Sequence, residues 1–146
     1  MSVRAQIVKG LLCGLLGYGF LQHSVLAAEG GQSPSESLAI LIPGSGEYSR
    51  GIDSLLPAAQ PFFDQGLRLA WAFYFPESIA SYQEASRLDP THPMPYWGLA
   101  HAAGPNPNSR YAQMPDDPNG MGKAAINKAI DHIERASVTE SALIYA

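Results

Sequence analysis

The chain has 146 residues, of which 46% are hydrophobic and 15% charged, and its formal net charge is −4. This length allows one domain. The acidic balance argues against proteins that bind nucleic acid or an anionic membrane surface through basic patches. Many of the 12 prolines and 14 glycines fall in residues 30–57 and 104–122, so the intervening segments are predicted to be helical.

The segment 1–27 has the composition of a secretory signal peptide. Arg4 and Lys9 precede the apolar run LLCGLLGYGFL, and Val25 and Ala27 provide the small side chains that a cleavage site prefers. The apolar run, about a dozen residues long, is short for a membrane span. We therefore predict an exported protein, periplasmic or secreted, with no integral membrane span after cleavage; the alternative is an uncleaved anchor.

Cleavage would also change the chemistry of the chain. It removes Cys13, which is the only cysteine, and leaves seven basic and thirteen acidic residues, a net charge of −6. The mature chain would then have neither a disulfide nor a thiolate metal site. No cofactor and no nucleic-acid partner are expected.

Residues 28–55 are predicted to form a flexible linker or an extended arm. The stretch AEGGQSPSES is polar and low in bulk, as in flexible linkers. The apolar run 38–42, which ends at Pro43-Gly44, is compatible with a strand or with an arm laid against the first helices. Gly44-Ser45-Gly46 lacks a following Gly-Lys-Ser/Thr, so an ordinary loop is favoured over a phosphate-binding loop.

Two helices are predicted between residues 56 and 89. The first begins near Leu56-Pro57-Ala58, and its polar face is expected to carry Asp64, Gln65 and Arg68, with Asp64 and Arg68 as an ion pair at helical i, i+4 spacing. Its apolar face is formed by Phe62, Phe63, Gly66, Leu67, Ala70, Trp71 and Phe73. The second helix opens at Pro76, ends before Asp89-Pro90 and buries the stripe Ile79, Tyr82, Ala85 and Leu88.

Further helices follow a second turn. A third helix begins at Pro93, a loop rich in Pro, Asn and Asp covers residues 104–119, and a fourth helix is predicted over 122–136. Ser137 to Glu140 are predicted to cap a fifth helix spanning 139–146. The long loop is a candidate functional element.

Helix-turn-helix units that recur with a period of about 34 residues are typical of stacked helical arrays. Shifting the sequence by one such period places Phe62 on Tyr96 and Gly66 on Ala100. The order of small and aromatic residues resembles the pattern of the tetratricopeptide repeat (TPR) family. The residues that carry the resemblance are Phe62, Gly66, Leu69, Tyr82, Ala85 and Pro90 in repeat one, and Tyr96, Leu99 and Ala100 in repeat two. Two positions depart from the family. Ser78 replaces the usual alanine, and Gln65 replaces the usual leucine; the change at Gln65 suggests either a loosely packed first helix or an atypical capping repeat.

The resemblance covers residues 47–146 and is to the N-terminal part of exported bacterial TPR proteins. It implies an all-α, right-handed α-solenoid of antiparallel helix pairs over residues 56–146, with repeat one at 58–92 and repeat two at 93–136, the loop 104–119 being an insertion in repeat two. It also implies a non-enzymatic module that binds a peptide or a partner protein on its concave face. The expected partner-binding residues are Gln65, Arg68, Trp97, His101, Asn106 and Asn108.

Two alternatives remain open. The chain is also compatible with being the N-terminal helical segment of a longer enzyme or redox protein whose catalytic part lies beyond residue 146. It is compatible, too, with a homodimer that closes an apolar edge formed by Leu143, Ile144 and Tyr145.

No constellation of residues predicts an active site. His92, His101 and His132 lack the spacing of a metal site, and Asp116-Asp117 lacks that of a calcium loop. Glu77, Glu84 and Asp89 are interpreted as charges on the helix surface. The aromatic cluster is interpreted as core packing between helices in preference to a ligand pocket; its members are Trp71, Phe73, Tyr74, Phe75, Tyr96 and Trp97. Trp97 is also compatible with facing the groove or the inserted loop.

Overall fold

The computed structural model describes residues 36–108 and 113–146. These residues form α1 (Gln60–Trp71), α2 (Phe75–Leu88), α3 (Pro93–Ala103), α4 (Pro118–Asp131), a 3-10 turn (Ile133–Arg135) and α5 (Val138–Ile144). The described part of the chain is therefore all-α, as predicted. The expected signal peptide with Cys13, the start of the linker and part of the 104–119 loop lie outside the described residues. Among the described helices, none has the length and apolarity that a membrane crossing requires.

Local side-chain caps set several helix starts. The Asp117 carboxylate accepts a hydrogen bond from the Gly120 N–H at 2.8 Å, so α4 begins at Pro118, about one turn earlier than predicted. Ser137 and Glu140 form a complete capping box at α5. The first helix begins later than predicted, at Gln60, because residues 57–59 form turns before it.

The ring of Tyr82 fills the space where α1, α2 and α3 meet. It is fully buried and packs edge-to-face on Phe63, with ring centroids 5.5 Å apart. A Cβ atom added to Gly66 of α1 would lie 2.8 Å from this ring, and one added to Gly98 of α3 would lie closer still. Small residues therefore allow the helices to approach the ring from both sides.

The other residues of the predicted repeat pattern differ in how deeply they are buried. Ala85 is fully buried, Leu69 and Leu99 are nearly so, and Phe62, Tyr96 and Ala100 are partly buried, whereas Pro90 is exposed at the end of α2. A Cβ atom on Gly122 of α4 would contact the Ala100 carbonyl at 3.5 Å. Ala100 thus lies where α3 crosses α4, and Gly98 is a further small residue, facing α2, that the repeat shift did not identify.

The prediction that the aromatic cluster is core was wrong for half of its members. Trp71 is 75% exposed, and Phe73 and Tyr74 are also exposed, whereas Phe75 is buried and Tyr96 and Trp97 are partly buried. The reason is local, because α1 ends at Trp71 and the next residues turn outward. The Phe73 N–H bonds to the Ala70 carbonyl and the Tyr74 N–H to the Leu69 carbonyl, which is a Schellman motif.

The predicted apolar edge at the end of the chain is partly covered. Ile144 is buried, Leu143 packs against the core, and Tyr145 is exposed. The Trp97 indole N–H donates to the Leu143 carbonyl at 3.1 Å. This contact ties α5 to α3 within one chain.

Candidate partner-binding site

A non-helical arm, residues 36–50, lies against α1 and α2. We name as the arm-binding face the side chains that bond the arm, Asp64, Gln65 and Arg68 of α1 and Glu84 of α2, together with Ser81 of α2, which bonds Gln65. Leu38–Ile42 does not form a strand and is the outer part of the arm. The sequence was compatible with a strand or with an arm laid against the first helices, and the structure shows the arm.

Gln65 binds the main chain of the arm in both directions. Its amide oxygen accepts from the Ile42 N–H at 2.7 Å, and its amide nitrogen donates to the Ile40 carbonyl at 2.8 Å and to the Ser81 hydroxyl at 3.0 Å. The C=O of one residue and the N–H two residues later point the same way in an extended chain. A side-chain amide offers the matching donor and acceptor, so Gln65 acts as a short piece of neighbouring strand.

The expectation that Gln65 lies on a solvent-facing surface was therefore wrong. Its side chain is 1% exposed, and its donor and acceptor are both engaged within the chain. Burying a polar amide without partners is costly. The arm supplies the hydrogen bonds that make this burial acceptable.

Glu84 provides the second anchor for the outer arm. It accepts the Leu38 N–H at 3.0 Å and is held by Arg87 through two bonds of 2.6 and 2.8 Å. Hydrogen bonding from Arg87 is the main reason that the pKa of Glu84 falls to about 2, against the opposing effect of burial, with the Leu38 N–H contributing further. Glu84 is thus a buried, ionised acceptor at neutral pH and not the surface charge that was predicted.

Asp64 and Arg68 bind the arm instead of each other, so the predicted ion pair was wrong. Asp64 accepts the Ser49 hydroxyl at 2.6 Å and the Arg50 N–H at 2.9 Å. Arg68 donates to the Tyr48 carbonyl at 2.8 Å. These bonds fix the inner arm, residues 47–50, separately from the outer arm.

The chain continues from the arm into a strap, residues 51–56, which bonds α5, the 3-10 turn and Asp89 just after α2. The Asp53 N–H donates to Glu140 at 3.1 Å, and the Leu56 N–H donates to Asp89 at 3.1 Å. Four buried carboxylates therefore each accept a main-chain N–H from residues 38–56: Asp64, Glu84, Asp89 and Glu140. This pattern explains why so many acidic side chains lie inside a small helical domain.

Arg135 completes the attachment of the strap. It bonds Asp89 at 2.8 Å and the Ser54 carbonyl at 3.0 Å. Burial raises the pKa of Asp89, but hydrogen bonds from Arg135 and from the Leu56 N–H outweigh this effect, so the pKa of Asp89 lies below its ordinary value. Asp89, like Glu84, is buried and not on the helix surface as predicted.

The other expected partner-binding residues lie elsewhere, on α3 and the loop after it. The rings of Trp97 and His101 stack with centroids 5.7 Å apart, and the Asn106 side chain donates to the His101 carbonyl at 3.4 Å. Asn106 also lines an open cleft of about 450 Å³ between residues 104–107 and the start of α4, while Asn108 is exposed. The six predicted residues thus form two groups and not one continuous groove.

A second cleft connects the arm to the end of α1. Its volume is about 500 Å³, and it is lined by Ser45, Gly46, Glu47, Tyr48, Arg68 and Trp71. Tyr48 and Trp71 are exposed at its rim. Of the expected partner-binding residues, Arg68 therefore both contacts the arm and borders open space.

Sequence reasoning missed Asp64, Ser81 and Glu84 as functional candidates. The available signal was their polar character on helices whose neighbouring positions are apolar. Among the described residues, no group of three or more His, Cys, Asp or Glu side chains is placed to hold a metal ion. Comparisons with protein-family models, with curated proteins and with solved structures find no match to this chain.

Proposed function

We propose that the chain is an exported, non-enzymatic interaction module, a TPR-like right-handed α-solenoid that binds an extended segment of a partner protein. The observation that carries the proposal is the two-way contact of Gln65 with the Ile40 carbonyl and the Ile42 N–H. A surface that holds one extended main chain in this way has the chemistry to hold another.

The manner of binding favours a partner recognised by its backbone. The outer arm is held through Leu38, Ile40 and Ile42 main-chain atoms, while the side chains of Leu38 and Ile40 are more than half exposed and that of Ile42 is 39% exposed. A face of this type accepts many side-chain sequences. This is the behaviour expected of a scaffold that binds unfolded or extended regions.

The repeat-like architecture is supported by helix packing through small residues. Gly66 and Gly98 flank Tyr82, and Gly122 lies opposite Ala100. The proposed export is supported by the sequence of residues 1–27, and N-terminal sequencing of the mature protein would test it. A mature chain that begins at residue 28 is expected, and one that begins at Met1 contradicts cleavage and favours the uncleaved anchor.

The binding proposal is tested with a fluorescent peptide that carries residues 36–46 of the chain. The receptor is the full chain with Leu38→Pro and Ile42→Pro, which lack the two N–H groups that attach the outer arm. Adding Gln65→Met is expected to weaken peptide binding about tenfold or more, because two hydrogen bonds are lost. Fluorescence anisotropy gives the Kd.

Gln83→Met is the matched control, since Gln83 is the same residue type on α2 and its side chain takes part in no hydrogen bond among the described residues. It is expected to leave the Kd unchanged. Equal weakening by Gln65→Met and Gln83→Met, or no binding by the parent receptor, would reject the proposed function.

A further inference from the structure

The outer and inner parts of the arm are attached independently. The outer arm, residues 38–42, contacts Gln65 and Glu84, whereas the inner arm contacts Asp64 and Arg68. A turn at residues 43–46 separates them, and its Gly44 and Gly46 have φ angles of 76° and 101°. Glycine reaches such angles without strain, so the turn can serve as a hinge.

The attachment of the outer arm is weaker than that of the segment behind it. Leu38 is 53% exposed, Ile40 77%, Leu41 49% and Ile42 39%, so apolar burial is incomplete along the whole outer arm. Its connection to the arm-binding face consists of three main-chain hydrogen bonds. Residues 48–56, by contrast, are held by bonds to α1, to α5, to Asp89 just after α2 and to Arg135. Release of the outer arm would therefore stop at the turn.

The face beneath the outer arm accepts only a segment that restores its hydrogen bonds. Gln65 and Glu84 are 1% and 2% exposed with the arm in place, and water reaches their amide and carboxylate when the arm leaves. A second segment that buries these groups again must supply the same main-chain bonds, because a buried polar group without a partner is unfavourable. An extended peptide that replaces the arm meets this requirement.

We infer that residues 38–42 are an internal ligand, and that the partner is a separate extended peptide which displaces them and forms the same bonds with Gln65 and Glu84. This inference rests on the proposed function and adds its regulation. The spacing of the bonds defines the partner: it presents an N–H at its first residue, a carbonyl at its third and an N–H at its fifth. Proline at the first or fifth residue is excluded, and proline at the fourth is accepted.

The test compares three full-length chains: the wild type, Leu38→Pro/Ile42→Pro, and Leu41→Pro. Leu41→Pro is the matched control, because Leu41 donates no hydrogen bond through its main chain within the described residues. The probe is the labelled peptide of residues 36–46. We expect it to bind the double variant at least about tenfold more tightly than the wild type or Leu41→Pro, since only the double variant has lost its internal competitor. Circular dichroism should show equal helicity.

A second measurement reads displacement directly. Saturating peptide is expected to speed hydrogen exchange at the Leu38 and Ile42 amides of the wild-type chain while leaving the Arg50 and Leu56 amides protected. Peptides with proline at the position of Leu38 or Ile42 should not bind, whereas proline at the position of Leu41 should be tolerated.

The outcomes separate the two proposals. Three results would overturn the internal ligand and leave the peptide-binding function unaffected. They are tight peptide binding with the same Kd for all three chains, unchanged hydrogen exchange at Leu38 and Ile42, and peptide binding that does not depend on the position of proline. Failure of every chain to bind the peptide would overturn both.

Discussion

The ring of Tyr82 lies against Gly98 and leaves no room there for a Cβ atom. Gly98→Ala is therefore expected to destabilise the protein by about 1–3 kcal/mol, because the ring is fully buried and cannot move aside. The gain in helix propensity, about 1 kcal/mol, offsets only part of this cost. Urea unfolding measures the change, and Gly51→Ala, where a Cβ atom meets nothing within 4 Å, should have little effect.

Removing the hydroxyl of Tyr82, unlike adding a methyl group at Gly98, is not expected to destabilise the protein. This oxygen is buried and has no hydrogen-bond partner among the described residues. Tyr82→Phe removes a buried polar group and leaves the packing on Phe63 in place, so stability should stay the same or rise by up to about 1 kcal/mol. A loss of more than about 1 kcal/mol in urea unfolding would show that the hydroxyl has a partner in solution.

The low pKa of Glu84 predicts how stability responds to acid. Its folded-state pKa of about 2 lies below that of an unfolded glutamate. As the pH falls, the unfolded chain takes up the proton first, so the stability contributed by Glu84 is complete at neutral pH and is lost between about pH 5 and pH 2.

Glu84→Gln should therefore flatten the stability profile in that range, as measured by urea midpoints at pH 7, 4 and 3. Glu77→Gln is the control, because Glu77 is an exposed carboxylate on the same helix. If both variants keep the wild-type acid sensitivity, Glu84 is not responsible for it.

Phe73 occupies the position of the Schellman motif that glycine normally fills. Its φ angle is 66°, and its side chain is largely exposed. Phe73→Gly and Phe73→Ala both remove the ring and its contact with Phe75, but only glycine relieves the left-handed backbone. Thermal unfolding should show the glycine variant to be more stable than the alanine variant by about 1 kcal/mol, and a reversed order would contradict this explanation.

Local patterns in the sequence predicted the helices and the contact between Gly66 and Tyr82. The spacing of Gly66 and Tyr82 is enough to place a small residue beside a ring, because both lie on adjacent helices joined by a short turn. Gly98 was not predicted because it faces α2, whereas Ala100, the residue one repeat period after Gly66, faces α4. The repeat period describes equivalent contacts and does not identify additional ones.

The arm-binding face could not be predicted in the same way. Leu38 and Glu84 are 46 residues apart, and Ile42 and Gln65 are 23 apart. Helical periodicity carries no information about a non-helical segment that folds back over such distances. The sequence therefore assigned Gln65, Glu84 and Asp89 to the surface, where they would lie if the arm and strap were absent.

Arg135 provides the last prediction, since it joins the strap to the core. It bonds Asp89 and the Ser54 carbonyl and also contacts Thr91. Arg135→Met keeps much of the apolar stem but leaves the buried Asp89 carboxylate with fewer partners, so a loss of about 2 kcal/mol is expected at pH 7.

The loss should diminish as the pH falls, because protonation of Asp89 removes the charge that Arg135 neutralises. Lys128→Met is the matched control, since Lys128 is an exposed cation in the last turn of α4. Hydrogen exchange adds the structural measurement: the Leu56 amide should lose protection in Arg135→Met while the Ile42 amide keeps it. Equal loss of protection at both amides would mean that arm and strap open together, and independent anchoring would then be wrong.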